Sequence, residues 1–250
     1  MRSFERKGAR VEVWSDRASL SARGAELFAE IAQRAVNDVG SFSVALSGGS
    51  TPEALYQLLA GDEMRARVPW RQTHVYWSDE RCVPPLDEQS NYRMAHDALL
   101  AHVDVPAEQL HRLRGEQEPE RAAREYEAAL KENFGESTPR FPLILLGLGE
   151  DAHTASLFPD SPALFDTEHL VAAPYVEKFA THRLTFTLPL INNAANIIFL
   201  VSGRSKSKAL RAVLEKETDP HWPASMVRPA NGNLIWLADE EALDAETPRR

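Results

Sequence analysis

Three apolar runs constrain this chain most: Phe42–Ser47 (FSVALS), Phe141–Leu148 (FPLILLGL) and Asn196–Val201 (NIIFLV). A strand with no polar face must be covered on both sides, as happens when helices return the chain between parallel strands. The intervening sequence supplies such helices. Arg17–Val39 places Leu20, Leu27, Ile31 and Val36 on a common face, and Asn91–His102 and Ser205–Glu217 also have helical spacing. Glu118–Glu132 reads as a charge-rich surface helix. Arg10–Asp16 (RVEVWSD), His74–Trp77 (HVYW), Arg183–Leu188 (RLTFTL) and Leu234–Leu237 (LIWL) are the remaining strand segments, and a short acidic helix closes the chain. Strand, loop, helix and strand in this order predict an α/β fold, a mostly parallel sheet with helices on both faces. With no internal repeat, low-complexity block or linker, residues 1–250 read as a single domain.

Charge narrows the partners. Lys and Arg number 28 against 37 Asp and Glu, a formal charge of -9. That balance argues against a general nucleic-acid binder, although a locally basic pocket for a small anion remains compatible with it. Cys82 is the sole cysteine, so no intramolecular disulfide forms. No run approaches the ~18–20 apolar residues that span a bilayer. Met1–Arg10 lacks the apolar core of a signal peptide. The expectation is a cytoplasmic protein with no membrane partner.

Ligands of parallel sheets bind beyond the carboxyl ends of the strands, which singles out four loops. In the first, Gly48, Gly49, Ser50 and Thr51 join a buried strand to a helix, with Pro52 suited to the first helical turn. Backbone N–H groups there can cradle a phosphate, or the segment is simply a tight capped turn. No Gly-Lys-Ser/Thr ending makes it a Walker loop. In the second, Asp79, Glu80 and Arg81 form either a solvated charge run or an arginine fork over an anion. Cys82 beside them reads as a packing residue.

The third loop, Gly147 to Thr154 (GLGEDAHT), has the spacing of a dinucleotide fingerprint. Glu150 and Asp151 would put negative charge where a pyrophosphate must sit, and Pro159 cuts short the required helix, so that reading is rejected. In an extended Asp151–His153 segment the two side chains share a side. A carboxylate beside an imidazole orients it and stabilises the imidazolium, as a general base requires. The fourth loop, Ser202 to Lys208 (SGRSKSK), gathers Arg204, Lys206 and Lys208 at a helix start; it suits an anion or is a solvated basic turn.

Taken in order, SGGSTP, WSDERCVP with SNYRM, GLGEDAHTASLFP, RLTFTLPLIN and VSGRSK resemble the 6-phosphogluconolactonase family, over nearly the whole chain from Val44 to Trp236. The resemblance implies a Rossmann-like fold shared with glucosamine-6-phosphate isomerases. It also implies hydrolysis of 6-phospho-D-glucono-1,5-lactone, with no metal and no organic cofactor. By position, His153 matches the family's general base and Asp151 its acidic neighbour. Arg81 and Lys206 match the basic residues about the phosphate, and Gly48 to Thr51 its cradle. Arg183, Arg204 and Asp79 are further candidates; for Arg183 a solvated strand-edge role stands equally.

The family's Asp-Gly-His reads Asp151-Ala152-His153 here. A methyl group makes left-handed backbone costly, so the loop is expected to take an ordinary conformation. A sugar-phosphate isomerase on the same fold is the competing enzyme, with Asp79 as its proton carrier. Against it, Arg81 stands where isomerases carry Tyr, and Ser156-Leu157-Phe158-Pro159 stands where they carry Asn-Glu-Pro. A sugar-phosphate sensor that binds without turnover is the non-enzymatic alternative.

Overall fold

The computed structural model describes residues 1–243. Among them the strands are β1 (Arg2–Arg6), β2 (Ala9–Trp14), β3 (Phe42–Leu46), β4 (Thr73–Trp77), β5 (Asp79–Arg81), β6 (Leu143–Gly147), β7 (Val171–Ala172), β8 (Tyr175–Val176), β9 (Thr181–Phe186), β10 (Asn196–Val201) and β11 (Asn233–Asp239). The α-helices are α1 (Arg17–Val39), α2 (Ser50–Ala60), α3 (Asp62–Arg65), α4 (Asn91–Ala98), α5 (Pro119–Phe134), α6 (Leu188–Asn192), α7 (Ser207–Glu215) and α8 (Glu240–Leu243). The rest of the expected acidic terminus lies outside the described residues.

A seven-stranded sheet runs in the order β1-β2-β11-β10-β6-β3-β4. Its neighbours from β2 to β4 are all parallel. Only β1 is antiparallel, and every residue in it is exposed, which is why its sequence carries no apolar signature. Side chains alternate across this sheet. Leu200 and Leu237 face α1, where a Cβ on Gly24 would lie 3.4 Å and 3.6 Å from them. Phe199 and Trp236 point the other way and stack at 3.8 Å, with Trp236 beside Val213 and Leu214 of α7. The continuously apolar strands are therefore covered on both faces.

The chain moves outward from β3 to β4, then resumes at β6 and proceeds through β10 to β11 in the opposite direction. The reversal opens a crevice between the carboxyl ends of β3 and β6, where a doubly wound sheet binds its ligand. The first and third loops leave the sheet at this point.

The segment read as a strand at Arg183–Leu188 is β9, and it belongs to a separate sheet. There β9 pairs antiparallel with β5, β7 and β8. Its alternating Arg-Leu-Thr-Phe sequence, unlike the wholly apolar runs, is the pattern of an antiparallel strand. Ser78 joins the two sheets: its N–H donates to Leu46 O at 2.8 Å, and its own carbonyl accepts from Phe186 N at 2.8 Å. The small sheet thereby hangs over the crevice. Helix α5, expected on the surface, packs against β7 and β9 and buries Ala122, Ala123, Tyr126 and Leu130.

Candidate active site

A cleft of about 310 Å³ occupies the crevice. All four loops singled out in the sequence contribute to it: Gly48 to Pro52, Asp79 and Arg81, Gly147 to Gly149 with His153, and Ser202 with Lys206. Arg183 reaches it from β9. Arg204 and Lys208 are exposed and do not line it.

The first loop is open by construction. Gly49 sits at φ +108 at the start of α2, and no side chain caps that helix. The N–H groups of its first turn therefore face the cleft without a protein acceptor, a setting that favours an anion. Gly48 must lack a side chain, because a Cβ there would lie 1.9 Å from Asn91 Oδ1. Asn91 in turn donates from Nδ2 to Asp79 O at 2.9 Å and to Asp79 Oδ1 at 3.2 Å. Ser156 Oγ donates to Asp79 Oδ2 at 2.8 Å, so both oxygens of Asp79 are held.

Glu80 turns away from the cleft. Its buried carboxylate accepts from the N–H groups of Arg81, Asn91 and Tyr92 at 2.7–2.8 Å and from Ser90 Oγ at 3.1 Å. Burial raises its pKa, and those backbone donors oppose the rise. Glu80 thus fixes the start of α4, and Arg81 beside it donates from Nη1 to Gln89 O.

Cross-strand pairing places Arg81 opposite Arg183. Arg183 is only 7 % exposed, and its Nη1 is buried without a hydrogen-bond partner. Burial and then the charge of Arg81 push its pKa below the ordinary value, while Asp79 opposes them. Two guanidinium groups and Lys206 line one cleft, a cluster of positive charge inside an acidic protein. Burial pushes the neighbouring Cys82 thiol up to about 11, so it is a packing group rather than a nucleophile.

On the third loop, His153 Nδ1 lies 2.5 Å from Asp151 Oδ1, and the same oxygen accepts the His153 backbone N–H at 3.2 Å. Lys178 Nζ reaches Asp151 Oδ2 at 3.2 Å. Burial penalises charge on Asp151, but the His153 ring, its backbone N–H and Lys178 together hold the carboxyl well below the usual range. A carboxylate on Nδ1–H leaves Nε2 with its lone pair. Phe158 stacks on the imidazole at 4.2 Å, and Phe179 lies 5.9 Å from Phe158. The His153 side chain is 28 % exposed, open to solvent through the cleft.

The backbone between the pair differs from expectation. Ala152 adopts φ +61 rather than an ordinary conformation. Its N–H donates to Gly149 O at 3.0 Å, Gly149 N to His153 O at 2.8 Å, and Ala152 O accepts from Ala224 N at 2.9 Å. These bonds impose a left-handed turn that costs about 1–2 kcal/mol for an alanine. Gly149 makes room for it: a Cβ there would lie 2.0 Å from His153 Nδ1.

Sequence reasoning missed Asn91, Ser156, Phe158, Phe179 and Lys178. Asn91 and Ser156 lay within quoted motifs, but only the fold shows that they grip Asp79. Among the described residues, no three His, Cys, Asp or Glu side chains converge as a metal-ligand group, and no helix is long and apolar enough to cross a membrane.

Comparison with known proteins agrees with this architecture. The family model for glucosamine-6-phosphate isomerases/6-phosphogluconolactonase matches residues 15–236. A 6-phosphogluconolactonase of Synechocystis sp. is 44% identical over 214 residues, covering 84% of this chain and 86% of the relative. One of Nostoc sp. is 40% identical over 237 residues, covering 93% and 96%. The solved 6-phosphogluconolactonase from Trypanosoma cruzi superposes with a TM-score of 0.85 at 26% identity, covering 99% of this chain and 100% of that one. Fold, sequence match and relatives agree, and the chain belongs to the glucosamine-6-phosphate isomerase/6-phosphogluconolactonase family.

Proposed function

We propose that this protein hydrolyses 6-phospho-D-glucono-1,5-lactone to 6-phospho-D-gluconate, the second step of the oxidative pentose phosphate pathway. The observation that carries the reading is His153, held by Asp151, lining a cleft of about 310 Å³ together with Arg81, Arg183 and Lys206. The relatives' names support the same substrate.

In this reading the phosphate sits among the first-turn N–H groups of α2, Arg81, Arg183 and Lys206. It holds the lactone ring over the third loop. His153 Nε2 takes a proton from water as the oxygen attacks the lactone carbonyl. The tetrahedral intermediate collapses with cleavage of the bond between the carbonyl carbon and the ring oxygen. The imidazolium returns its proton to that oxygen, and the product carboxylic acid ionises. Asp151 keeps the ring in the productive tautomer and stabilises the imidazolium. General-base assistance supplies ~10²–10⁴-fold, and fixing the phosphate supplies proximity beyond that.

Asp79 is the proton carrier an isomerase would need. Its oxygens are engaged by Asn91 and Ser156, which supports an orienting role instead. Acid release from the fresh lactone, followed against spontaneous hydrolysis, tests the reading. Acceleration is expected. Turnover of glucosamine 6-phosphate with none of the lactone would replace it with the isomerase.

A further inference from the structure

Nothing in the lactonase reading accounts for Asp239, a carboxylate 4 % exposed at the end of β11. In the parallel pairing of β10 with β11, Val201 stands opposite Ala238, so Asp239 follows at the level of Ser202. Ser202 Oγ donates to its Oδ2 at 2.5 Å. Gly203 N–H donates to both oxygens, at 3.0 Å and 3.1 Å, and Ala242 N–H to Oδ1 at 2.8 Å. Ser202 Oγ also accepts from Arg17 Nε at 3.1 Å. The chain then turns at Gly203, φ +93, into the single 3-10 turn Arg204–Lys206, which has no side-chain cap of its own. Lys206 N–H closes that turn on Gly203 O at 3.0 Å.

We propose that Asp239 is a positioning residue for the substrate's phosphate: by gripping Ser202 and Gly203 it sets the turn that aims Lys206 into the cleft. The inference rests on the lactonase reading and deepens it. A carboxylate suits the task because all its contacts here are donors, and hydrogen bonds to a charged acceptor are roughly twice as strong as neutral ones. An amide in its place offers one acceptor oxygen and turns an NH2 group toward Ser202 or Gly203. Both carboxylate oxygens are engaged by Ser202, Gly203 and Ala242, so the side chain holds the turn that carries Lys206 rather than pairing with Lys206 itself.

The test is Asp239→Asn, read with the phosphorylated lactone, with glucono-1,5-lactone lacking the phosphate, and with inorganic phosphate as a calorimetric probe. Loss of one aimed charge contact predicts KM for the phosphorylated lactone rising about tenfold with kcat within about threefold. The affinity for inorganic phosphate falls in parallel, and kcat/KM for the unphosphorylated lactone holds within about twofold. In a Lys206→Ala background the same substitution adds less than about twofold, because both act through one contact. Equal losses on both lactones, or a full effect in the Lys206→Ala background, overturn the proposal. Should Asp239→Asn not fold, Asp239→Ser removes the same charge with a smaller side chain that still accepts a hydrogen bond, and must show the same selective loss. A wild-type protein that binds phosphate but leaves the lactone intact would refute the lactonase reading; the phosphate titration of Asp239→Asn would still decide this one.

Discussion

Asp151 Oδ1 accepts from both the ring Nδ1 and the backbone N–H of His153, so one carboxylate oxygen fixes the imidazole's position and its tautomer. Asp151→Asn keeps the shape but can present an NH2 group to Nδ1, favouring the tautomer with its proton on Nε2. The expected result is a kcat about 10²-fold lower with KM within about threefold. Steady-state kinetics against the lactone check it; a raised KM with normal kcat would assign Asp151 to binding.

Gly149→Ala tests the same geometry from behind. Its methyl would lie 2.0 Å from His153 Nδ1 and 2.7 Å from Asp151 Oδ1. The ring must move, and displacement on the scale of 1 Å costs on the order of 10²-fold in turnover. The affinity for inorganic phosphate, which the proposed function places on Arg81, Arg183 and Lys206, is expected to stay within about twofold. Calorimetry and kinetics on the same preparation separate the two.

Arg183 carries a buried Nη1 with no protein partner, on a β ladder opposite a second arginine. Arg183→Met removes the charge, and with it the guanidinium that lies 5.1 Å over the Phe179 ring, while keeping much of the apolar stem. KM for the phosphorylated lactone is expected to rise about 10–100-fold, the range for a charge-assisted contact. Relief of the Arg81–Arg183 repulsion should leave the melting temperature unchanged or higher. A lower melting temperature with unchanged KM would make Arg183 structural.

Acid sensitivity has a source remote from the cleft. Burial, and then the charge of His74, lower the His111 pKa from 6.5 to about 4. The ring stacks on Tyr76 at 4.3 Å and meets His74 Nδ1 at 3.1 Å. A depressed folded-state pKa gives stability that is full above 6.5 and drains as pH falls toward 4. His111→Phe keeps the stack and removes the titration. Its melting temperature should therefore fall less steeply than wild type between pH 6.5 and 4; parallel curves would contradict this.

The wholly apolar runs at Phe42, Phe141 and Asn196 made the parallel sheet legible, because burial on both faces leaves no polar positions. The glycine-rich turns after three strands made the cleft legible, since each loop ends where the sheet must bind. Contacts between distant segments were not legible: Asn91 and Ser156 on Asp79, Lys178 on Asp151, and Asp239 on Ser202 and Gly203 are separated by 12 to 77 positions. The exposed β1 left no hydrophobic period to read. Ala152 ran against local preference because the three backbone hydrogen bonds around it outweigh the modest cost of its left-handed backbone.

The most direct test is proton release from freshly made 6-phospho-D-glucono-1,5-lactone near neutral pH, comparing wild type with His153→Gln. Loss of the base predicts a drop in kcat of about 10²–10⁴-fold with KM within about threefold. A His153→Gln protein that still turns over the lactone at the wild-type rate would contradict the account.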